Sequence, residues 1–211
     1  MATSEVEIAN LALNRLGLQS VDTLSTSASS KSERVMADFF SQVRDDVLSA
    51  GFWNFAIKRS KLSKLSSKPS FEYANEFQLP SDFLRVFLAT DQNSSGSSGQ
   101  VSGDPHPFEA PVFDDSIQYE IEGKKLLTDS STVNLIYTHR VTDVTKFSPT
   151  FTKAFYLMLA SEAAYSLVQD RGLSKDLREE SEFYITRGLS RDSQDDRDTE
   201  FGATSFISPR F

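Results

Sequence analysis

From Phe151 to Val168, apolar side chains cover almost the whole circumference of a segment with helical spacing. A helix that is apolar nearly all round has to be buried, either among other helices or in a contact between subunits. Any fold for this chain must therefore supply partners on every side of that segment. Its start is well marked, with Ser148 as N-cap and Pro149 at the first helical position, where a missing N–H costs nothing. Gly172 is the expected break. Ser174 then caps a further helix whose Leu177, Tyr184, Ile185 and Leu189 share one face. The charges of that helix run with its dipole, Asp176, Glu179 and Glu180 early, Arg187 and Arg191 late.

Helical spacing also opens the chain. Ser4 and Glu7 form a capping box, Ile8, Ala9, Ala12, Leu13 and Leu16 recur on one face, and Gly17 offers a left-handed stop. Ser30 and Glu33 repeat the box ahead of a second stripe, Met36, Phe39, Phe40, Val43, Val47 and Ala50, closed by Gly51.

Between the helix pairs the period changes to two. Asn54 to Leu62 reads as a strand that leaves the second helix through Phe52, Trp53 and Phe55, with Trp53 as core at the helix–sheet junction. Phe83 to Ala89 is an apolar strand. Ile117, Tyr119 and Ile121 alternate with polar neighbours, Gly123 turns the chain, and Lys125 to Thr128 pairs back as a hairpin. Val133, Leu135 and Tyr137 continue the alternation. The segment 91–111 is rich in Ser, Gly and Pro and has almost nothing to bury, so it reads as a mobile tip.

The expected fold is α+β. Residues 1–51 and 147–195 form a four-helix bundle, and 52–146 form an inserted antiparallel β-sandwich or barrel lobe carrying the loop 91–111. Residues 196–211 form an extended C-terminal arm. The arm has no periodicity, and its phenylalanines suggest docking onto another surface.

Composition narrows the function. The 211 residues include no cysteine, which excludes disulfides, thiolate metal sites and cysteine nucleophiles and fits folding in a reducing cytoplasm. The start of the chain lacks the basic region and cleavage site of a signal peptide. The longest apolar run, Ala154 to Ala160, is far too short to span a bilayer, so no membrane partner is expected. A net charge of −8 disfavours affinity for nucleic acid but suits a surface past which DNA moves without sticking.

Catalytic candidates are few. His106 lies in the Pro-rich loop and His139 at a strand end, neither with a partner at metal-ligand spacing. Asp114 and Asp115 are adjacent, which on a strand would point them to opposite faces, so they read as a turn. Glu179, Glu180 and Glu182 read as a solvated helix face. No phosphate-binding loop, nucleophile elbow or zinc-protease pattern occurs. The expectation is a protein that is not an enzyme, with no catalytic residue, cofactor or metal. Lys58, Arg59, Lys61, Lys64 and Lys68 form the single basic patch. It reads either as an electrostatic contact for an acidic neighbour or DNA, or as an edge strand kept from aggregating by its lysines.

Several stretches together are similar to a known family. Ile8-Ala9-Asn10-Leu11-Ala12-Leu13 with Leu16-Gly17 looks like its opening helix, and Gly51 followed by Phe52-Trp53-Asn54-Phe55-Ala56 resembles its G-x-W-N-F-A signature. Phe77 through Val86 resembles its P-x-D-[FW]-x-R element. The stretches 119–128, 135–143 and Phe147-Ser148-Pro149 match its last strands and the start of its third helix. In this order, over about residues 4–190, they resemble the tail tubular protein A family of short-tailed phages, the adaptor ring beneath the portal.

The resemblance implies a structural virion protein, made in the host bacterial cytoplasm and placed in the tail neck. It implies a homo-oligomeric ring, a dodecamer, between the portal protein and the tail nozzle protein, with genomic DNA passing through without sequence-specific binding. Adaptors of this type often grip the portal with an extended C-terminal arm, which here assigns portal contact to Phe201, Phe206, Ile207, Arg210 and Phe211. Two other readings stand beside it, a head-completion connector of a long-tailed phage and a carbohydrate-binding β module. Ring formation with a portal separates the adaptors from the sugar binder.

Overall fold

The computed structural model describes residues 4–91 and 116–195, as four helices and two antiparallel sheets. The arm 196–211, nearly all of the loop 91–111 with His106, and the pair Asp114–Asp115 lie outside the described residues.

Helix α1 (Glu5–Arg15) starts as its sequence demands, the Ser4 hydroxyl accepting the Glu7 N–H at 3.1 Å. Gly17 follows at φ +71, the left-handed stop expected of it. Helix α2 (Lys31–Ser49) has Ser30 as its N-cap residue, but the Ser30 side chain makes no capping bond. The Glu33 carboxylate, expected to complete that box, accepts instead from the Thr23 hydroxyl at 3.4 Å. The Arg34 guanidinium meanwhile holds the carbonyls of Ala28 and Ser29 ahead of the helix. Gly51 does not close α2 by a left-handed turn; a Cβ there would lie 2.2 Å from Leu189 Cδ1, so its requirement is space.

Helix α3 (Pro149–Val168) is capped by Ser148, whose hydroxyl accepts the Phe151 N–H at 3.2 Å. It packs against α1, α2 and helix α4 (Arg171–Asp195), which is why its apolar residues run around the whole circumference. Phe151, Phe155, Leu157 and Leu159 are fully buried within the one chain. The break after α3 differs from the expected one. Gln169 takes the left-handed conformation at φ +57, and Asp170 caps α4 by accepting the Leu173 N–H at 3.0 Å. Gly172 therefore sits in the first turn of α4. Ser174, read as a cap, is engaged elsewhere: its hydroxyl donates to the Ser161 carbonyl at 2.9 Å, and Ser161 Oγ donates to the Ser174 carbonyl at 2.7 Å. These reciprocal bonds tie α4 to α3 at a polar position inside the helix pair.

The strand expected from Asn54 begins later. A 3-10 turn covers Asn54–Ala56, and β1 (Ile57–Lys61) and β2 (Ser63–Lys64) follow on either side of Leu62. Then come β3 (Asn75–Gln78), β4 (Phe83–Thr90), β5 (Glu120–Glu122), β6 (Lys125–Thr128) and β7 (Asn134–His139). The hairpin forms as read, Glu122 opposite Lys125 with Gly123 at φ +58. One sheet has the order β1-β7-β4 and the other β2-β3-β6-β5; neither closes into a barrel. Both contribute to one apolar core, with Val86, Leu135 and Tyr137 from the first and Phe77 and Leu126 from the second. The helices form a second core that includes Trp53, Ala56 and Phe147.

Candidate functional site

Two of the stretches quoted above, 51–56 and 77–86, lie where the sheets meet the helices. Gly51, Trp53 and Asn54 lie along the C-terminal half of α4, each against a different position. Gly51 accommodates Leu189, and Trp53 lies over Gly188, where a Cβ would be 2.6 Å from the indole Cζ3. Asn54 donates its backbone N–H to the Asp192 carboxylate at 3.0 Å and its side-chain amide to the Asp192 carbonyl at 2.9 Å. Positions 188, 189 and 192 share a helical face, so Gly51, Trp53 and Asn54 meet one stripe of α4. Trp53 is fully buried, packs edge-on against Phe151 at 5.1 Å, and donates its indole N–H to the Val47 carbonyl at 3.0 Å. That is the core role expected for it.

The second motif secures β4. Arg85 directs its guanidinium to the carbonyls of Ser49 and Ala50 at the end of α2, at 3.3 and 3.5 Å, and lies over the Phe52 ring at 4.7 Å. A cation at a helix C-terminus is favoured both by the unbonded carbonyls and by the dipole. Asp82 accepts from Lys58 Nζ at 2.8 Å and from the Tyr137 hydroxyl at 2.9 Å, while its carbonyl takes the Arg140 N–H at 2.7 Å. Arg140 in turn donates to Asp45 of α2 at 2.6 Å, and Asp45 also accepts twice from the buried Arg44. A chain of polar contacts thus runs from α2 through Arg140 to β4, β7 and β1. His139 joins it as a structural group, its Nδ1–H donating to the Ala56 carbonyl at 2.7 Å.

Burial alone would raise the Asp82 pKa, but hydrogen bonds from Lys58 and Tyr137 outweigh it and hold the carboxyl below its ordinary value of 3.8. Burial first, and then Asp82, push the Tyr137 hydroxyl far above its ordinary value of 10.0. The signs follow from linkage. A lowered acid contributes stability that is whole above the ordinary aspartate range and is lost as pH falls through the folded pKa. A raised phenol contributes stability that is whole below its ordinary value and is lost as pH climbs past it. Urea melts across pH should therefore show Asp82→Asn falling less steeply than wild type below about pH 4. Tyr137→Phe should fall less steeply than wild type above about pH 10. Parallel curves would mean that neither group titrates differently on folding.

No protein-family model matches this chain, and no curated protein is detectably similar to it. The adaptor resemblance stands on the residues quoted for it.

The cations expected as one patch are distributed over two faces. Lys58 is bound to Asp82, and it shares with Ser60, Leu62 and Lys64 the side of the strand nearest the β core. Arg59 and Lys61 lie on the opposite side, exposed, and Lys68 is exposed in the loop after β2. The arm residues Phe201, Phe206, Ile207, Arg210 and Phe211 are outside the described residues. Glu179 and Glu182 are exposed on α4, while Glu180 pairs with Arg15 of α1. Among the described residues, no group of three or more His, Asp or Glu side chains is placed to hold a metal ion, and no helix is long and apolar enough to cross a membrane.

Sequence reading missed Gly188 and Asp192 as partners of the Trp-Asn motif, and Asp82 as the hub beneath Tyr137. Gly188 carried a readable signal: a glycine in the middle of an otherwise good helix costs stability, and so implies close approach by a neighbour.

Proposed function

We propose that this chain is a structural virion protein, a subunit of the head-to-tail adaptor ring that joins the portal to the tail nozzle and lines part of the DNA ejection channel. One observation carries the reading: among the residues that resemble the adaptor family, Gly51, Trp53 and Asn54 seat the segment after α2 on α4, Arg85 ties β4 to the end of α2, and Asp82 ties the start of β4 to Lys58 and Tyr137. They support a rigid part of an assembly, and the acidic composition suits a wall past which DNA slides.

In this reading residues 1–51 and 147–195 are one four-helix bundle, 52–146 an inserted β lobe, and 196–211 an arm that reaches the portal through Phe201, Phe206, Ile207, Arg210 and Phe211. The protein works without cofactor or catalysis, in the neck of the virion. Electron microscopy of the chain mixed with a purified short-tailed-phage portal is expected to show a ring beneath the portal. Deleting Asp198–Phe211 is expected to abolish attachment while the circular dichroism spectrum keeps its helical signal. A chain that stays single beside the portal overturns the reading, whereas undiminished attachment of the truncated protein overturns only the role of the arm.

A further inference from the structure

Two of the edge strands, β1 and β5, carry opposite charge. Residues 57–64 pass from one sheet to the other through Leu62, with Lys58, Ser60, Leu62 and Lys64 toward the β core and Arg59, Lys61 and Ser63 on the outer side. The Leu62 N–H donates to the Val133 carbonyl at 2.9 Å. Alternation along an antiparallel ladder then turns the N–H and C=O of Arg59 and Lys61 away from β7. Because β1 is the last strand of its sheet among the described residues, those groups face outward.

The far edge of the other sheet is β5, and Glu120, Ile121 and Glu122 are all exposed there. Ile121 stands opposite Leu126, which stands opposite Phe77, so it belongs to the core side, and it is 40% exposed because β5 is the last strand of its sheet among the described residues. The two glutamates are on the outer side. Glu122 pairs with Lys125 across the two-residue turn, which directs the backbone of both glutamates to β6 and that of Ile121 outward.

We propose that these edges join copy to copy: β5 of one subunit adds in parallel beside β1 of the next, with Glu120 beside Arg59, Ile121 beside Ser60 and Glu122 beside Lys61. Parallel addition satisfies both requirements at once. The Ile121 N–H donates to the Arg59 carbonyl and the Ile121 carbonyl accepts from the Lys61 N–H, the groups that each edge leaves open. Both carboxylates then share a face with both cations, at the same spacing of two residues. Antiparallel addition would bring Ile121 opposite a cation on the wrong face. Among the described residues none of these four charges has an ion pair within the chain. The contact uses two different surfaces of the subunit, so repetition with rotation closes a ring. The inference rests on the adaptor-ring reading and names its subunit contact.

The test uses the full chain, alone at high concentration and with the portal, followed by native mass spectrometry. Arg59→Glu with Lys61→Glu makes both edges acidic, and Glu120→Lys with Glu122→Lys makes both basic. Each double variant alone is expected to lose assembly, and an equimolar mixture to regain it, because each then offers the edge its neighbour lacks. Carbodiimide treatment of the unaltered protein, which links contacting carboxylates and amines, is expected to join Glu122 to Lys61 between subunits. Rings that form equally well from either variant, or wild-type rings without that cross-link, overturn the edge contact and leave the adaptor reading standing. A wild-type chain that never assembles, even beside the portal, overturns both.

Discussion

Replacing Trp53 by alanine is expected to lower the stability of the isolated chain by about 3–5 kcal/mol, the range for truncating a buried aromatic side chain. The indole is fully buried between α2, α3 and α4, so its removal leaves a cavity lined by Phe151, Phe55 and the Gly188 backbone. It also leaves the Val47 carbonyl without its donor. Chemical denaturation should show the midpoint falling at nearly constant slope, since the surface exposed on unfolding changes little. A loss under about 1 kcal/mol would place Trp53 among peripheral residues and remove the basis for the joint.

The second large effect should change sign with its background. Gly188→Ala ordinarily gains up to about 1 kcal/mol in a helix interior, because alanine is the better helix former. Here the new methyl would lie 2.6 and 2.8 Å from indole carbons and 3.0 Å from Thr150 Cγ2, and a buried ring cannot swing aside. Overpacking of this kind costs about 1–3 kcal/mol, so the clash wins and the variant is destabilised. With Trp53→Ala already in place, the ring is gone and the same Gly188→Ala change should become neutral or stabilising. A double-mutant cycle reads the difference directly. Additive effects would mean that the two residues do not touch in solution.

These two side chains also mark the limit of sequence reading. The four helices were legible from their apolar spacing, and for α1 and α3 the caps agree with it: Ser4 and Ser148 bond as their positions require. The hairpin at Gly123 was legible for the same reason, alternation on both sides of a residue that accepts positive φ. The break after α3 was misplaced because Gln169, a residue with no preference for the left-handed region, takes it, while the nearby Gly172 remains helical. Strand β3 went unread because three of its four residues, Asn75, Glu76 and Gln78, are polar, and their bonding supports them only once the fold exists. Asn75 holds the carbonyls of Asp129 and Ser130, and Glu76 is paired with Lys125 and Ser67.

For the joint, the motif residues were visible but their partners were not. Trp53 and Gly188 are far apart in sequence and their complementarity is one of shape, which no spacing rule encodes. The five cations were legible as a cluster because they are close in sequence, yet strand alternation divides four of them between two faces and Lys68 lies in the loop after β2. The glutamates of β5, by contrast, attracted no notice, since two carboxylates on a short strand look like ordinary solvent-facing charge until the opposite edge is seen.

The end of α2 is shared property. Val47, Ser49 and Ala50 present carbonyls that an isolated helix would leave to water, and here they are taken by Trp53 and by Arg85 from β4. Neither apolar core can come apart without stripping those acceptors or freeing that guanidinium. The helical and strand-built halves are thereby thermodynamically coupled, and heating should melt them in one cooperative transition, with a calorimetric enthalpy that matches the van't Hoff value.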